Sequence, residues 1–498
     1  MKAYFFPFII VLLAIHSLYA QNSATSSILH GQIIDANTKM PLAFANVGFY
    51  HHQTGSISNE EGLFSIPLPA NNSKDSLVVQ FIGYQTYKQA LPISADSVLR
   101  IALHSKTITL QEAKIYANMP DIESVLNDVR ANLEKNYKPI DAKSQVFFRQ
   151  SQTADIQEFS IGLKKNDIPG IDQSLISKTF DKIPRHSTSF SDLLCNACIP
   201  KQEDDTVKIV PIRYVQLKDI EIDELEKMGN MFNQLLKNTK EDEYWKVRTG
   251  ILSTKMEIDT TGNRVSDSGS VNLKYQRMAL TNQLRFAHIE DSKHWEFIFS
   301  PKRYNYDIAG IDYLNGEEAY IISFTPKGKG LFEGKMYISA FTFALLRADY
   351  TYGKGKKGRD IDLLGVQYSE DKMEVSIMFV PHKGHYRLQY LSKKRAYTSG
   401  VHRDISFLKK RKRFLFDKTI YKTKTDLDFK TKVEESSLLL AFDYTSVSPQ
   451  QYKDFKNQLH TPVIEIEQYH DSLWADYPNI APEKHLREYK KQGNAVIR

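Results

Sequence analysis

Two hydrophobic periods alternate along this chain. Leu29, Gly31 and Ile33 fall on every second position, residues 35–39 supply a turn, and Pro41-Leu42 opens a strand that runs to Tyr50. Residues 58–66 hold a turn at Asn59–Gly62, where glycine can take positive φ. Leu77–Phe81 and Val98–Leu103 are two more short strands. Short strands with regular turns over about 75 residues predict a β-sandwich.

After a connector at 110–118 the period lengthens. Ile122, Val125, Leu126, Val129 and Leu133 recur at helical spacing behind Asp121, an N-cap residue, and the helix should stop before Pro139. Residues 145–149 read as a strand, and residues 219–237 as a second helix with a charged face. From Phe297 to Tyr390 period two returns. Asn315-Gly316 marks a hairpin, and strands near 317–324, 331–338, 343–352, 373–380 and 386–390 follow closely. Short connections of this kind favour an antiparallel meander, curved into a half-barrel in one version. Ser448-Pro449-Gln450-Gln451 has the form of a capping box that starts a late helix.

The first twenty residues change the compartment. Lys2, an apolar run from Phe5 to Ile15 and Ala20 at the end are features of a cleaved export signal. The run is shorter than the roughly 20 residues needed to span a bilayer, and no later stretch approaches that length. No cysteine follows it, so a lipoprotein anchor is not expected. The expected organisation is a signal at 1–20, a linker at 21–28, a sandwich at 29–105, a connector at 106–118 and a β-rich α+β region at 119–498.

Composition adds two points. The net charge of +7 is uneven, with sixteen Lys or Arg against four Asp between Lys383 and Lys432. Its densest cluster, Lys409, Lys410, Arg411, Lys412 and Arg413, is either a solvated run or a patch for an anionic partner. Lipid or lipopolysaccharide phosphates suit an exported protein, whereas nucleic acid would need a recognisable module. The two cysteines, Cys195 and Cys198, are expected to pair as a disulfide in an oxidising compartment. Redox use would want a βαβ setting, and zinc would want further ligands beyond the distant His186.

Catalytic motifs do not assemble. Gly353-Lys-Gly355-Lys-Lys-Gly358 matches the dinucleotide fingerprint, but the residues after it are strand-like and too short for the helix that the fingerprint needs. His485 and Glu488 have metallopeptidase spacing without a third ligand downstream. His382 and His385 sit three apart in an expected hairpin turn. Asn59, Glu60 and Glu61 lack the carboxylate spacing of a calcium loop. No Gly-x-Ser-x-Gly elbow occurs. No catalytic residue, metal ligand or cofactor is assigned.

Gly31-x-Ile33-x-Asp35, Pro41-Leu42-x-x-Ala45-x-Val47, Asn59-x-x-Gly62-x-Phe64 and Phe81-Ile82-Gly83-Tyr84 together resemble the carboxypeptidase regulatory-like domain. The resemblance implies a transthyretin-like β-sandwich, without peptidase chemistry, of a kind that precedes bacterial envelope proteins. Val125–Phe148 is more loosely similar to the opening of bacterial domains that follow this module. The lipoprotein-carrier half-barrels, which hold acyl chains, are an analogy at the level of fold for the later meander. The functional expectation is a non-enzymatic adaptor or binding protein of the periplasm or outer membrane, taking an apolar or anionic lipid-like ligand or a partner protein. The alternatives are a hydrolase of envelope glycan or peptide, using carboxylates that the sequence does not single out, and a small outer-membrane barrel, which the dense charge from Lys393 to Lys432 opposes.

Overall fold

The computed structural model describes residues 28–489 except 52–54, 70–74, 82, 94–97, 106–119, 169, 203–204, 218–239, 250–251, 256–269, 290–292, 315–316, 475–476 and 478–479. The export signal, the helix expected at 219–237 and the Asn315-Gly316 turn itself lie outside the described residues. The chain divides into two compact units, 1–106 with 470–484, and 107–469 with 485–498.

The first unit is a sandwich. Strands β1 (Ile28–Asp35), β2 (Asn46–Phe49), β3 (Gly55–Ile57), β4 (Leu63–Pro67), β5 (Ser76–Gln80), β6 (Tyr87–Ala90) and β7 (Leu99–Leu103) form two sheets, ordered β4-β1-β7 and β3-β2-β5-β6. Their inward positions, among them Leu29, Ile33, Val47, Phe64, Val79 and Ile101, make one core. Two motif glycines are steric requirements. A Cβ on Gly31 would lie 2.4 Å from the Phe64 ring, and one on Gly62, at φ 71°, would lie 2.2 Å from the Ile33 carbonyl oxygen. Asp35 accepts from the backbone of Asn37 and Thr38 and from the Tyr84 hydroxyl at 2.5 Å. The Tyr84 bond, then the backbone bonds, hold its carboxyl down at about 2. The motif residues Asp35 and Tyr84 therefore work as a turn lock.

The second unit begins with α1 (Ile122–Ala131) and α2 (Leu133–Tyr137), separated at Asn132. Asp121 caps α1 by accepting from the Ser124 amide, and Val125, Leu126 and Val129 are buried, as the spacing predicts. Strands β8 (Ala142–Asn166), β9 (His186–Ile199), β10 (Lys208–Leu217), β11 (Glu243–Thr249), β12 (Leu252–Lys255) and β13 (Ser270–Asn272) follow, with α3 (Gln173–Phe180) between β8 and β9. Then come α4 (Lys274–Phe286) and β14 (Tyr304–Leu314), β15 (Glu317–Pro326), β16 (Phe332–Ser339), β17 (Leu345–Tyr352), β18 (Asp360–Leu363), β19 (Val366–His382), β20 (His385–Arg411) and β21 (Lys418–Ser446). The unit closes with α5 (Pro449–Asp454), β22 (His460–Pro462) and β23 (Ile464–Ile466). The capping box of α5 forms as read, with both Ser448 and Gln451 bonds present.

One large curved sheet dominates, and it is not a closed barrel. Its order is β14-β15-β16-β17-β19-β20-β21-β8-β9-β10-β23, with β11 on β20 and β18 on β19. The steps from β14 to β10 are antiparallel, and β10 pairs β23 in parallel. The meander expected from 297 to 390 is its first half. Its centre is a hairpin of 27 and 29 residues, β20 and β21. The fold class is therefore mainly β, a sandwich followed by an antiparallel β-rich α+β region.

Candidate functional site

Helix α4 covers one face of the large sheet and leaves a cavity of about 750 Å³ beneath it. That volume is in the range of small-molecule sites. The floor follows from strand register. Ser191, Gln150, Ser437 and Lys393 are successive cross-strand partners on β9, β8, β21 and β20. Two residues along each strand, Ser189, Gln152, Glu435 and Arg395 repeat the row. Period two puts both rows on the same face, and all eight residues line the cavity.

The roof is a stripe on α4. Gln276, Ala279, Gln283 and Phe286 stand three or four residues apart and so share one face of the helix. Gln276 Nε2 donates to the Tyr214 hydroxyl at 2.8 Å. The Oε1 atoms of Gln276 and Gln283 are buried and accept no hydrogen bond among the described residues. A buried carbonyl without a donor is costly, typically about 1–3 kcal/mol.

Charge inside the cavity is partly compensated. Glu435 accepts from Arg395 Nη2 at 2.5 Å and from the Tyr397 hydroxyl at 2.8 Å. It is the one carboxylate among the described lining residues, and its two oxygens are both engaged. Lys393 has its ammonium 3.9 Å from the centroid of the Phe286 ring. Burial, with Arg395 adding repulsion, brings its pKa down to about 8.

A second, smaller cavity of about 140 Å³ opens between α2 and the sheet. Leu133, Tyr137, Ile140, Leu388 and Tyr444 give it apolar walls. Arg387 also lines it, and its Nε is buried without a hydrogen-bond acceptor among the described residues. The small cavity thus has mostly apolar walls, while the large one is polar.

The residues singled out in the sequence lie elsewhere. Cys195 and Cys198 are free, buried thiols on β9. Three residues apart on an extended strand, they face opposite sides, with Cα atoms about 10 Å apart. A disulfide needs less than about 7 Å, so the expected bridge is not formed here. Burial pushes the Cys195 thiol up to about 12 and raises Cys198 as well.

The basic cluster is divided by pairing. Lys409 is buried 3.0 Å from Glu243, and Arg411 contacts Glu243 at 2.6 Å and Asp242 at 3.4 Å. Lys410, Lys412 and Arg413 have no ion pair among the described residues. Gly353–Gly358 links β17 to β18, so a strand and not a helix follows it. His385 Nδ1 meets the Lys135 carbonyl at 2.8 Å, across a turn from His382. Asn59 Oδ1 accepts from the amides of Glu61 and Leu63, so it serves as the acceptor of its own turn. No group of three metal-ligating side chains occurs among the described residues.

Reading the sequence did not find α4, Gln283 or Lys393. The available signal was the recurrence of Gln276, Ala279, Gln283 and Phe286, a helical stripe that is polar where a core stripe would be apolar.

Among solved structures, the LolA superfamily protein NE2245 from Nitrosomonas europaea aligns at 9% identity over 68% of this chain and 99% of its own, with a TM-score of 0.18. The Pseudomonas aeruginosa MucA/MucB complex aligns at 9% identity over 63% of this chain and 93% of its own, with a TM-score of 0.17. Scores this low do not establish a shared fold. No curated protein matches the chain. Residues 29–115 match the CarboxypepD_reg-like domain, and the N-terminal sandwich is a domain of that family.

Proposed function

We propose that this chain is an exported, non-enzymatic binding protein of the cell envelope, with the N-terminal sandwich as adaptor or spacer. Its ligand is polar and rich in hydroxyl or amine donors, such as a glycan fragment bearing an anionic group. One observation carries this reading: a cavity of about 750 Å³ is floored by two polar cross-strand rows that include Lys393 and is lined on α4 by Gln276 and Gln283. Ligand hydroxyls would bond the serine and glutamine side chains that line the cavity, and the Lys393 ammonium would meet the anionic group. An acyl chain there would leave the polar rows without partners.

The hydrolase alternative has less support in this cavity. General acid–base hydrolysis of a glycan uses two carboxylates, and Glu435 is the only one among the described lining residues. Export is supported by the features of residues 1–20, and no helix among the described residues is long and apolar enough to cross a membrane.

The test is calorimetric titration of the full chain with peptidoglycan-derived muropeptides and with fatty acid. Muropeptide binding that weakens about tenfold in Gln283→Leu supports the proposal. Muropeptide binding that is unchanged in Gln283→Leu, or fatty-acid binding alone, defeats it. Turnover of muropeptide that Glu435→Gln abolishes would favour the hydrolase.

A further inference from the structure

The end of the β20–β21 hairpin carries a second, separate feature. Phe414, Leu415 and Phe416 are 101%, 78% and 86% exposed. Single exposed apolar residues are ordinary, as at the hairpin ends of Tyr313 and Phe341, and the β18–β19 turn exposes Leu363 and Leu364 less fully, at 63% and 54%. Three in a row at a projecting tip form an apolar cap that water does not favour.

The tip projects beyond the paired part of the neighbouring strands. β20 and β21 pair as far as Arg411 and Lys418, but β8 joins β21 only from Thr423 onward. The hairpin thus extends about 16 Å beyond the last β8 pairing. On the other side β11 stops at Glu243, opposite Arg411. Residues 412–417 lie past every described strand of the sheet.

Cations surround this cap. Lys410, Lys412, Arg413 and Lys418 form no ion pair among the described residues, whereas Lys409 and Arg411 are neutralised by Glu243 and Asp242. The acid within the tip, Asp417, accepts from the Tyr244 hydroxyl at 2.5 Å. Exposed aromatics bordered by unpaired cations match the layer where acyl chains meet anionic headgroups.

We infer that this hairpin tip docks the protein on an anionic phospholipid bilayer, with Phe414, Leu415 and Phe416 entering the interfacial layer and Lys412 and Arg413 meeting lipid phosphates. The inference goes beyond the cavity reading and does not depend on it.

Co-sedimentation of the full chain with vesicles tests it. One set is phosphatidylcholine alone, and the other contains phosphatidylglycerol. The wild type should partition at least tenfold more strongly to the phosphatidylglycerol vesicles, and added salt should weaken that binding. Phe414→Ser/Leu415→Ser/Phe416→Ser should lose at least tenfold on them with an unchanged melting curve. Lys412→Gln/Arg413→Gln should bring the two vesicle types close to equal. In Phe414→Trp, brominated lipid should quench the added fluorescence. A wild type that binds neither vesicle, as a tip reserved for a protein partner would, overturns the inference. So does a triple-serine variant that binds like the wild type.

Discussion

The side-chain amide of Asn59 donates to the carbonyl of Pro482 at 2.9 Å, joining residues 423 positions apart within one compact unit. The same side chain also donates to the Ala481 carbonyl at 3.4 Å and accepts from two amides of its own turn. A residue that reads as a local turn former thus also holds the 470–484 segment on the sandwich. Asn59→Ala removes both functions at a buried position and should destabilise this unit by about 2–3 kcal/mol. Asn59→Asp keeps the turn acceptor but sets a carboxylate against the Pro482 carbonyl. Limited proteolysis should then cut within 470–484 sooner than in the wild type, and an unchanged cleavage rate would contradict this assignment.

Arg149 and Asp192 form a buried bidentate pair between β8 and β9, with both N–O distances 2.8 Å. Tyr469 adds its hydroxyl 3.4 Å from the guanidinium. Removing one member strands the other charge in the interior. Asp192→Ala should cost about 3–5 kcal/mol, while Arg149→Met/Asp192→Leu should cost clearly less, because no charge is left behind. Urea unfolding of the three proteins measures the difference. Equal losses in the single and double variants would mean that the pair acts through packing alone.

The sandwich was legible because its turns depend on sterics that only certain residues meet. Gly31 against Phe64 and Gly62 at positive φ leave marks in the sequence itself. The long hairpin was not legible in the same way. β20 and β21 place Lys393, Arg395, Glu435 and Ser437 toward the polar cavity, so the apolar alternation that announces a strand is missing there. Helix α4 escaped notice because its buried residues, Leu280, Thr281 and Phe286, are interrupted by the polar Gln276 and Gln283 of the cavity-lining stripe. The cluster at 409–413 looked uniform because Glu243, 168 residues before Arg411, is brought beside it only by the pairing of β11 with β20.

The two thiols give a direct measurement. Cys195 and Cys198 are buried and face opposite sides of β9. A thiol reagent should label neither in the native protein. After denaturation without reductant it should label both. Denatured protein that takes up label only after reduction would show that the pair is bridged and that β9 departs from this register.

Glu243 sets an acid limit on the β11–β20 edge. Its bonds to Arg411 and then to Lys409 hold its carboxyl at about 2, against an ordinary value of 4.5. A folded-state value below the unfolded one means that the stabilisation is complete above about 4.5 and is lost as pH falls toward 2. Glu243→Gln should therefore be less stable than the wild type at pH 7, and the gap should narrow between pH 4.5 and pH 2. A gap that stays constant through that window would place the carboxylate outside the pairing.

Lys393 makes the opposite prediction at high pH. Burial lowers it to about 8 from 10.5, so the folded state disfavours its charge. The resulting penalty is complete below pH 8 and disappears above 10.5, where the lysine is neutral in both states, so this group makes stability rise between those limits. In Lys393→Met the rise should vanish, and the variant should gain on the wild type most at pH 7. An anionic ligand in the cavity reverses the balance, because it favours the ammonium and draws a proton onto it. Its affinity should fall as pH climbs through 8 in the wild type and show no such step in Lys393→Met. Calorimetry in two buffers of different ionisation enthalpy separates these contributions, since proton uptake on binding near pH 8 should appear only when Lys393 is present. Equal proton uptake in both proteins would remove Lys393 from the ligand's surroundings, while leaving the glutamine carbonyls of α4 to be tested by their own substitutions.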